Sequence, residues 1–180
     1  MSDSWTLTAA DGELQILTNV GGPAAKMGHR LTIAMASWQA TVGWRAGKPV
    51  SADLVVDVDS LQVLKGEGGV TPLSGPEKVV VRANALKSLD VKKHPQIRFH
   101  ADGVAKTKGG YRMTGEVEIH GTAQPRVVDL EVRDEGGVWV MTAQVPVIQS
   151  EFGVKPYSLL MGTMKVADEV TVRFTARHPK

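Results

Sequence analysis

Apolar residues return at every second position in one segment after another of this chain, and that period-two rhythm narrows the fold to a β-sheet before anything else is considered. In residues 13–20, Leu14, Ile16, Thr18 and Val20 share a face with Gln15 and Asn19 opposite, until Gly21, Gly22 and Pro23 stop the run. From 29 to 44 the set His29, Leu31, Ile33 and Met35 gives way at Ser37 and Trp38 to Ala40, Val42 and Trp44, a change of face that predicts a bend or bulge in one long strand. Residues 53–61 repeat the pattern through Leu54, Val56 and Val58. The clearest hairpin runs from Ile97, Phe99 and Ala101, through a turn at Lys108, Gly109 and Gly110, to Met113, Gly115, Val117 and Ile119. Val128, Leu130 and Val132 mark another strand, 138–147 a further one, and 169–177 the last, with Val170, Val172, Phe174 and Ala176 inward.

Two segments break the rhythm. KGEGGVTP at 65–72 reads as a Gly-rich turn, after which Ser74 and Glu77 have the spacing of a capping box with Pro76 in the first turn. A helix is therefore predicted over about residues 75–89, with Val79, Ala83 and Leu86 as its apolar stripe, Asp90 next on the same line, Leu89 packing near its end, and Lys78, Arg82 and Lys87 toward water. Lys92, Lys93 and His94 complement its dipole, and Pro95 bars continuation. In 147–164, Gly153, Pro156 and Gly162 interrupt a run containing Leu159, Leu160, Met161 and Met164. Such a run is either a cap over an apolar cavity or a folded-over loop that completes an ordinary core. About eight strands with one inserted helix point to an all-β fold, an eight-stranded antiparallel up-and-down, lipocalin-like barrel, as a single domain over 1–180. At that strand number a barrel is either just filled by side chains or holds one small ligand.

Composition acts mainly by exclusion. With 21 basic and 19 acidic residues the charges nearly cancel, so no nucleic-acid footprint is expected. Cysteine is absent, which removes disulfides, thiolate metal sites and cysteine nucleophiles together. The N-terminal MSDSWTLTAADGELQ lacks a basic region followed by an apolar one, and no run of about 18 apolar residues exists, so neither a secretory signal nor a transmembrane helix is expected and the cytoplasm is the default location. No G-x-S-x-G elbow, H-E-x-x-H pair or phosphate-binding glycine loop is present, and no catalytic residue, cofactor or metal is expected. His100 and His120 could approach across the hairpin beside Glu116 and Glu118 as a divalent-metal set, but that face reads better as a solvated outer surface.

Four stretches in this order resemble the YceI-like family of lipocalin-like, polyisoprenoid-binding barrels: VDVDSLQV (56–63), HPQIRFHADGV (94–104), YRMTGEVEIHGTAQP (111–125), and SEFGV with the closing DEVTVRF (150–154, 168–174). The resemblance spans roughly 13–177 and implies a barrel around an elongated apolar tunnel, a helix beside it, and pairing as a homodimer. It implies that the partner is a lipid, whether polyisoprenoid, isoprenoid quinone or fatty amide, which the protein binds and carries without converting it. On that footing Leu31, Ile33, Met35, Val56, Ile97, Phe99, Val117, Ile119, Phe152, Tyr157, Leu160 and Met161 are expected to line the tunnel. His29 is the head-group candidate, with Lys26 and Arg30 adding charge, although a structural histidine satisfied by nearby backbone fits the same pattern. An enzyme acting on a bound lipid, or a fully packed barrel serving as an interaction module, are the alternatives.

Overall fold

The chain forms fourteen strands and one α-helix in a computed structural model that describes residues 3–180 with the exception of the Leu160 side chain. In chain order they are β1 (Ser4–Thr8), β2 (Gly12–Leu17), β3 (Val20–Gly21), β4 (His29–Met35), β5 (Trp38–Arg45), β6 (Lys48–Asp57), β7 (Leu61–Gly68), α1 (Gly75–Ser88), β8 (Gln96–Lys106), β9 (Gly110–Ile119), β10 (Thr122–Asp134), β11 (Val138–Ile148), β12 (Ser158–Leu159), β13 (Met164–Val166) and β14 (Glu169–Pro179). Eleven of them form one antiparallel sheet in the order β1-β5-β6-β8-β9-β10-β11-β14-β2-β4-β7, and β12-β13-β3 form a second, small one. The C-terminal β14 pairs with the N-terminal β2 from Thr171 opposite Leu17 to Ala176 opposite Gly12, so the first and last long strands are joined edge to edge.

A single bent hairpin makes the sheet curl. β4 and β5 are two halves of one arm, β6 and β7 of the other, with β5 paired to β6 and β4 to β7. Between the halves the chain breaks at Ala36 and Ser37 on one side and in a 3-10 turn, Val58–Ser60, on the other. Backbone hydrogen bonds span the break, from Ala36 N–H to Ser60 O at 3.2 Å and from Asp57 N–H to Ser37 O at 3.0 Å, and the Ser37 hydroxyl donates to the Asp57 carboxylate at 2.7 Å. Beyond the bend the lower half borders β8 and the upper half borders β2, so a strand pair that starts on one flank of the sheet ends on the other.

This departs from an eight-stranded up-and-down barrel. The alternation finds the long strands but treats each bent arm as one, and it misses β1, which adds to the outer edge of β5 from Ser4 opposite Gly43 to Thr8 opposite Gln39. Lys65–Gly68, read as turn, is the end of β7, and the turn begins at Gly69. A five-residue edge strand with two apolar side chains carries too little periodicity to be separated from a tail.

The helix forms as its sequence dictates. The Ser74 hydroxyl accepts from Glu77 N–H at 3.3 Å, and the Glu77 carboxylate accepts from Ser74 N–H at 3.2 Å, closing the capping box. Its facing is as expected at Leu86 and Leu89 but not at Val79, Ala83 and Arg82. Val79 is 69% exposed and Ala83 is also exposed, whereas Ala85, Leu86 and Leu89 pack on the core and Arg82 is drawn inward, its Nε–H donating to Leu61 O at 2.8 Å. With so few large apolar residues in the helix, this guanidinium and the Leu86–Leu89 end set its rotation instead of the Val79 stripe.

Two clusters fill the interior. The larger gathers Leu7, Leu14, Ile33, Met35, Trp38, Val56, Leu61, Met141 and Ala176, with Trp38 edge-on to Phe174 at 5.4 Å. The smaller is Val147, Phe152 and Val154, with Leu89 of the α1 C-cap, Ile119 and Val170 against it. Phe152 is 0% exposed, in a 3-10 turn, Gln149–Phe152, that is pinned to Asp168 through Ser150 N–H at 2.8 Å. Phe152→Ala is expected to cost about 3–5 kcal/mol in urea unfolding, while Met161→Ala, at a side chain 104% exposed, should stay within about 0.5 kcal/mol. Ser74→Ala should weaken the helix by about 1 kcal/mol, read as roughly fivefold faster hydrogen exchange of the α1 amides.

Candidate functional site

The inward residues of nearly every strand converge on one cavity of about 790 Å³, bounded by the curled sheet, α1 and the 149–166 segment. The alternation explains its chemistry. Leu14 and Ile16 from β2, Leu31, Ile33 and Met35 from β4, Leu54 and Val56 from β6, Val117 and Ile119 from β9, and Val172 and Phe174 from β14 all face it, because positions two apart share a sheet face. Among the described residues no polar or charged residue is buried, so the wall is overwhelmingly hydrocarbon. A volume and lining of this kind fall in the range of small-molecule pockets.

Of the residues expected to line a tunnel, Leu31, Ile33, Met35, Val56, Ile97, Phe99, Val117, Ile119, Phe152 and Tyr157 border the cavity. Met161 does not: it sits at φ 56° in the 3-10 turn Leu160–Gly162 with its side chain wholly in solvent. The side chain of Leu160 lies outside the described residues. Period-two reasoning does not extend into an irregular segment, which is why the apolar 157–164 run was the least readable part of the lining.

Polar groups enter the lining from the helix, from strands and from the segments beside them, Thr41 of β5, Asp53 of β6 and Arg98 of β8 among them. Glu77, Asn84 and Ser88 come from one face of α1, and His29, Gln149 and Lys165 from the segments beside it. His29 Nε2–H donates to Thr71 O at 2.6 Å, so one ring nitrogen is satisfied by backbone, as the structural alternative required, while the ring still borders the cavity. The Gly-rich turn is shaped to receive it. Gly69 has φ +74°, and a Cβ there would lie 2.7 Å from His29 Nε2. Lys26 and Arg30, the two expected charged companions, are not in the lining: Lys26 lies in the exposed 3-10 turn Ala25–Met27, and Arg30 points to the opposite sheet face from His29 and Leu31. The helix polar face was missed because the predicted stripe was turned by about one position, and Lys165 because β13 has only three residues. Hydrogen bonding from the Ser74 hydroxyl and backbone N–H holds the Glu77 carboxyl below the ordinary carboxylate range, so it is an anion at neutral pH beside His29.

The suggested pairing of His100 with His120 does not form. His100 sits opposite Glu116 on β9 and its Nδ1 bonds Asp53 of β6 at 2.6 Å, whereas His120 lies in the β9–β10 turn against His94, ring centroids 4.8 Å apart.

With this geometry in place, comparison with known proteins is informative. A family model described as the YceI-like domain matches residues 5–178. The chain belongs to the YceI-like family. Among solved structures, Burkholderia cenocepacia BcnA superposes with a TM-score of 0.70 at 21% identity, covering 94% of this chain and 98% of BcnA. A Campylobacter jejuni YceI protein superposes with a TM-score of 0.60 at 13% identity, covering 82% of this chain and 84% of the other. At these identities the YceI-like fold is what is shared. Among curated proteins, none matches the chain.

The hydrogen bond and the charge of Asp53 raise the pKa of His100 above the ordinary histidine value. A raised folded-state pKa contributes stability that is fully present below the unfolded value and is lost as pH rises through the folded one. Histidine-resolved NMR titration should find His100 titrating high, and Asp53→Asn should return it toward the ordinary value and remove that part of the pH dependence.

Proposed function

We propose that this YceI-like chain is a non-catalytic carrier that binds, sequesters or transports a long-chain amphiphilic lipid of isoprenoid type, its hydrocarbon in the barrel and its head group beside α1. The observation that carries the reading is the cavity of about 790 Å³ with its hydrocarbon wall. Each buried methylene is worth about 0.8 kcal/mol, so one five-carbon unit contributes roughly 4 kcal/mol before ordering costs are subtracted. A few such units suffice without any reacting group. Polyisoprenoids, isoprenoid quinones and fatty amides share this shape, a linear apolar chain with one compact polar end. His29, Glu77, Asn84 and Lys165 are the polar groups available to that end, and His29 retains its second ring nitrogen for it.

A fully packed interaction barrel does not suit an interior of this volume. Catalysis on a bound lipid would need an imidazole and a carboxylate aimed at the chain. His29 is oriented by Thr71 O and Glu77 by Ser74, which suits both as fixed contacts for a head group.

The test is organic extraction of gently purified protein followed by mass spectrometry, together with uptake of offered polyprenols and quinones. Lipid recovery or saturable uptake is expected, and neither would overturn the proposal. Ala143 lines the cavity on β11 without being fully buried, so Ala143→Phe should narrow it, cutting uptake at least tenfold with little change in stability. Unchanged uptake by that variant would place the lipid elsewhere.

A further inference from the structure

Three side chains outside the cavity lining come together where the C-terminus of α1 meets the β9–β10 turn. Asp90, His94 and His120, all half-buried, present donor atoms within 4.8 Å of one another. The backbone brings them there by separate routes. Asp90 follows the helix C-cap Leu89 in the left-handed conformation, φ 50°, with Asp90 N–H donating to Lys87 O and Val91 N–H to Leu86 O, the two bonds of a Schellman motif. His94 N–H returns to Asp90 O at 2.8 Å, and Pro95 O is held by Val58 N–H at 2.9 Å, so the 90–95 loop is fixed at both ends. His120 and Gly121, at φ 55° and 75°, are the two central residues of a hairpin turn between Ile119 and its partner Thr122.

The two left-handed positions carry side chains that such a backbone tolerates and that can also ligate a metal. The position after a helix C-cap and the first residue of a two-residue hairpin of this type ordinarily carry glycine or asparagine. Here they carry an aspartate and a histidine, and both side chains are directed at the same third group. Gly121 keeps the space open, since a Cβ there would lie 2.7 Å from His94 Cε1. Among the described residues, none of the three side chains makes a hydrogen bond or ion pair with another protein group, although all are partly withdrawn from water.

From this arrangement we propose that Asp90, His94 and His120 form a binding site for a divalent transition-metal ion, with zinc as the reference member of the class. Two imidazoles and one carboxylate are a sufficient set for such an ion, with the fourth position left to water. Donors bonded to zinc at about 2.0–2.1 Å lie about 3.3 Å apart, so the side chains need close in by no more than about 1.5 Å on loading. The helix C-terminus favours a cation beside Asp90, and the nearby Lys92 and Lys93 are exposed, away from the half-buried cluster. Occupancy would staple the end of α1 to the β9–β10 turn. The chain neighbours Leu89 and Ile119 line the cavity, so that staple would hold one edge of its cover in place. The site stands independently of which lipid, if any, the cavity holds.

The experiment uses the full chain, stripped with a chelator and titrated with Zn²⁺ against a chromophoric competitor, with Co²⁺ absorption as a second readout. Asp90→Asn and His120→Asn remove a ligand while keeping side chains that tolerate the left-handed backbone, so both are expected to fold; His100→Gln serves as the control. One Zn²⁺ per chain is expected, with binding at least tenfold weaker in either Asn variant and unchanged in the control. Zn²⁺ should raise the Tm of the wild type and not of the double variant, and Co²⁺ should give a tetrahedral visible spectrum only in the wild type and control. A wild type that binds no Zn²⁺, or that binds it no better than the Asp90→Asn, His120→Asn double variant, would overturn the proposal.

Discussion

The bend in one hairpin is the constraint on which the rest of the structure depends. Backbone amides cannot be left unpaired in a partly buried sheet, and the hydrogen bonds from Ala36 to Ser60 and from Asp57 to Ser37 keep the ladder continuous while both arms turn. The turn places β8 beside one half and β2 beside the other, so the sheet curls around a volume instead of extending as a flat layer. Pairing of β14 with β2 then brings the last long strand against the first.

Because the sheet surrounds its own apolar face, the cover becomes the part with room for variation. The helix and the 149–166 segment lie over the interior, bring several polar groups to it, and are held by a few directed bonds. Arg82 ties α1 to β7, Asp168 pins the 3-10 turn that buries Phe152, and β12-β13-β3 fastens the remainder to the end of the second strand. The helix is itself a poor apolar element, with no buried residue of its own, so its position rests on a few directed bonds. Elements held in this way are drawn from the low-stability end of a protein and are the ones that can open.

Legibility in the sequence followed the regularity of the backbone. Where a strand is long and one face is apolar, alternation fixes which residues point inward, and Leu31, Ile33, Val56, Ile97, Val117 and Ile119 were all readable in this way. The capping box likewise fixed the start of α1. The short edge strand β1, the rotation of α1, the outward Met161 and the absence of Lys26 and Arg30 from the lining were not readable, since each is decided by contacts distant in sequence. His94 and His120 were both visible as histidines, but His120 was weighed only against His100 and a solvated face, because hairpin register alone cannot say that the end of a helix will arrive at the turn.

By itself, then, the sequence determined that the chain is built of strands with one capped helix, which faces of those strands are apolar, and the family resemblance that a matching family model bears out over residues 5–178. These are local properties, set by side-chain period and by hydrogen bonds between near neighbours. Only the tertiary structure decided that the apolar faces enclose a cavity instead of filling it, that His29 spends a nitrogen on Thr71, and that Asp90, His94 and His120 meet. The physical reason is that an enclosed volume and a three-residue cluster are set by how far apart elements come to rest, and that distance is fixed by the curl of the sheet as a whole.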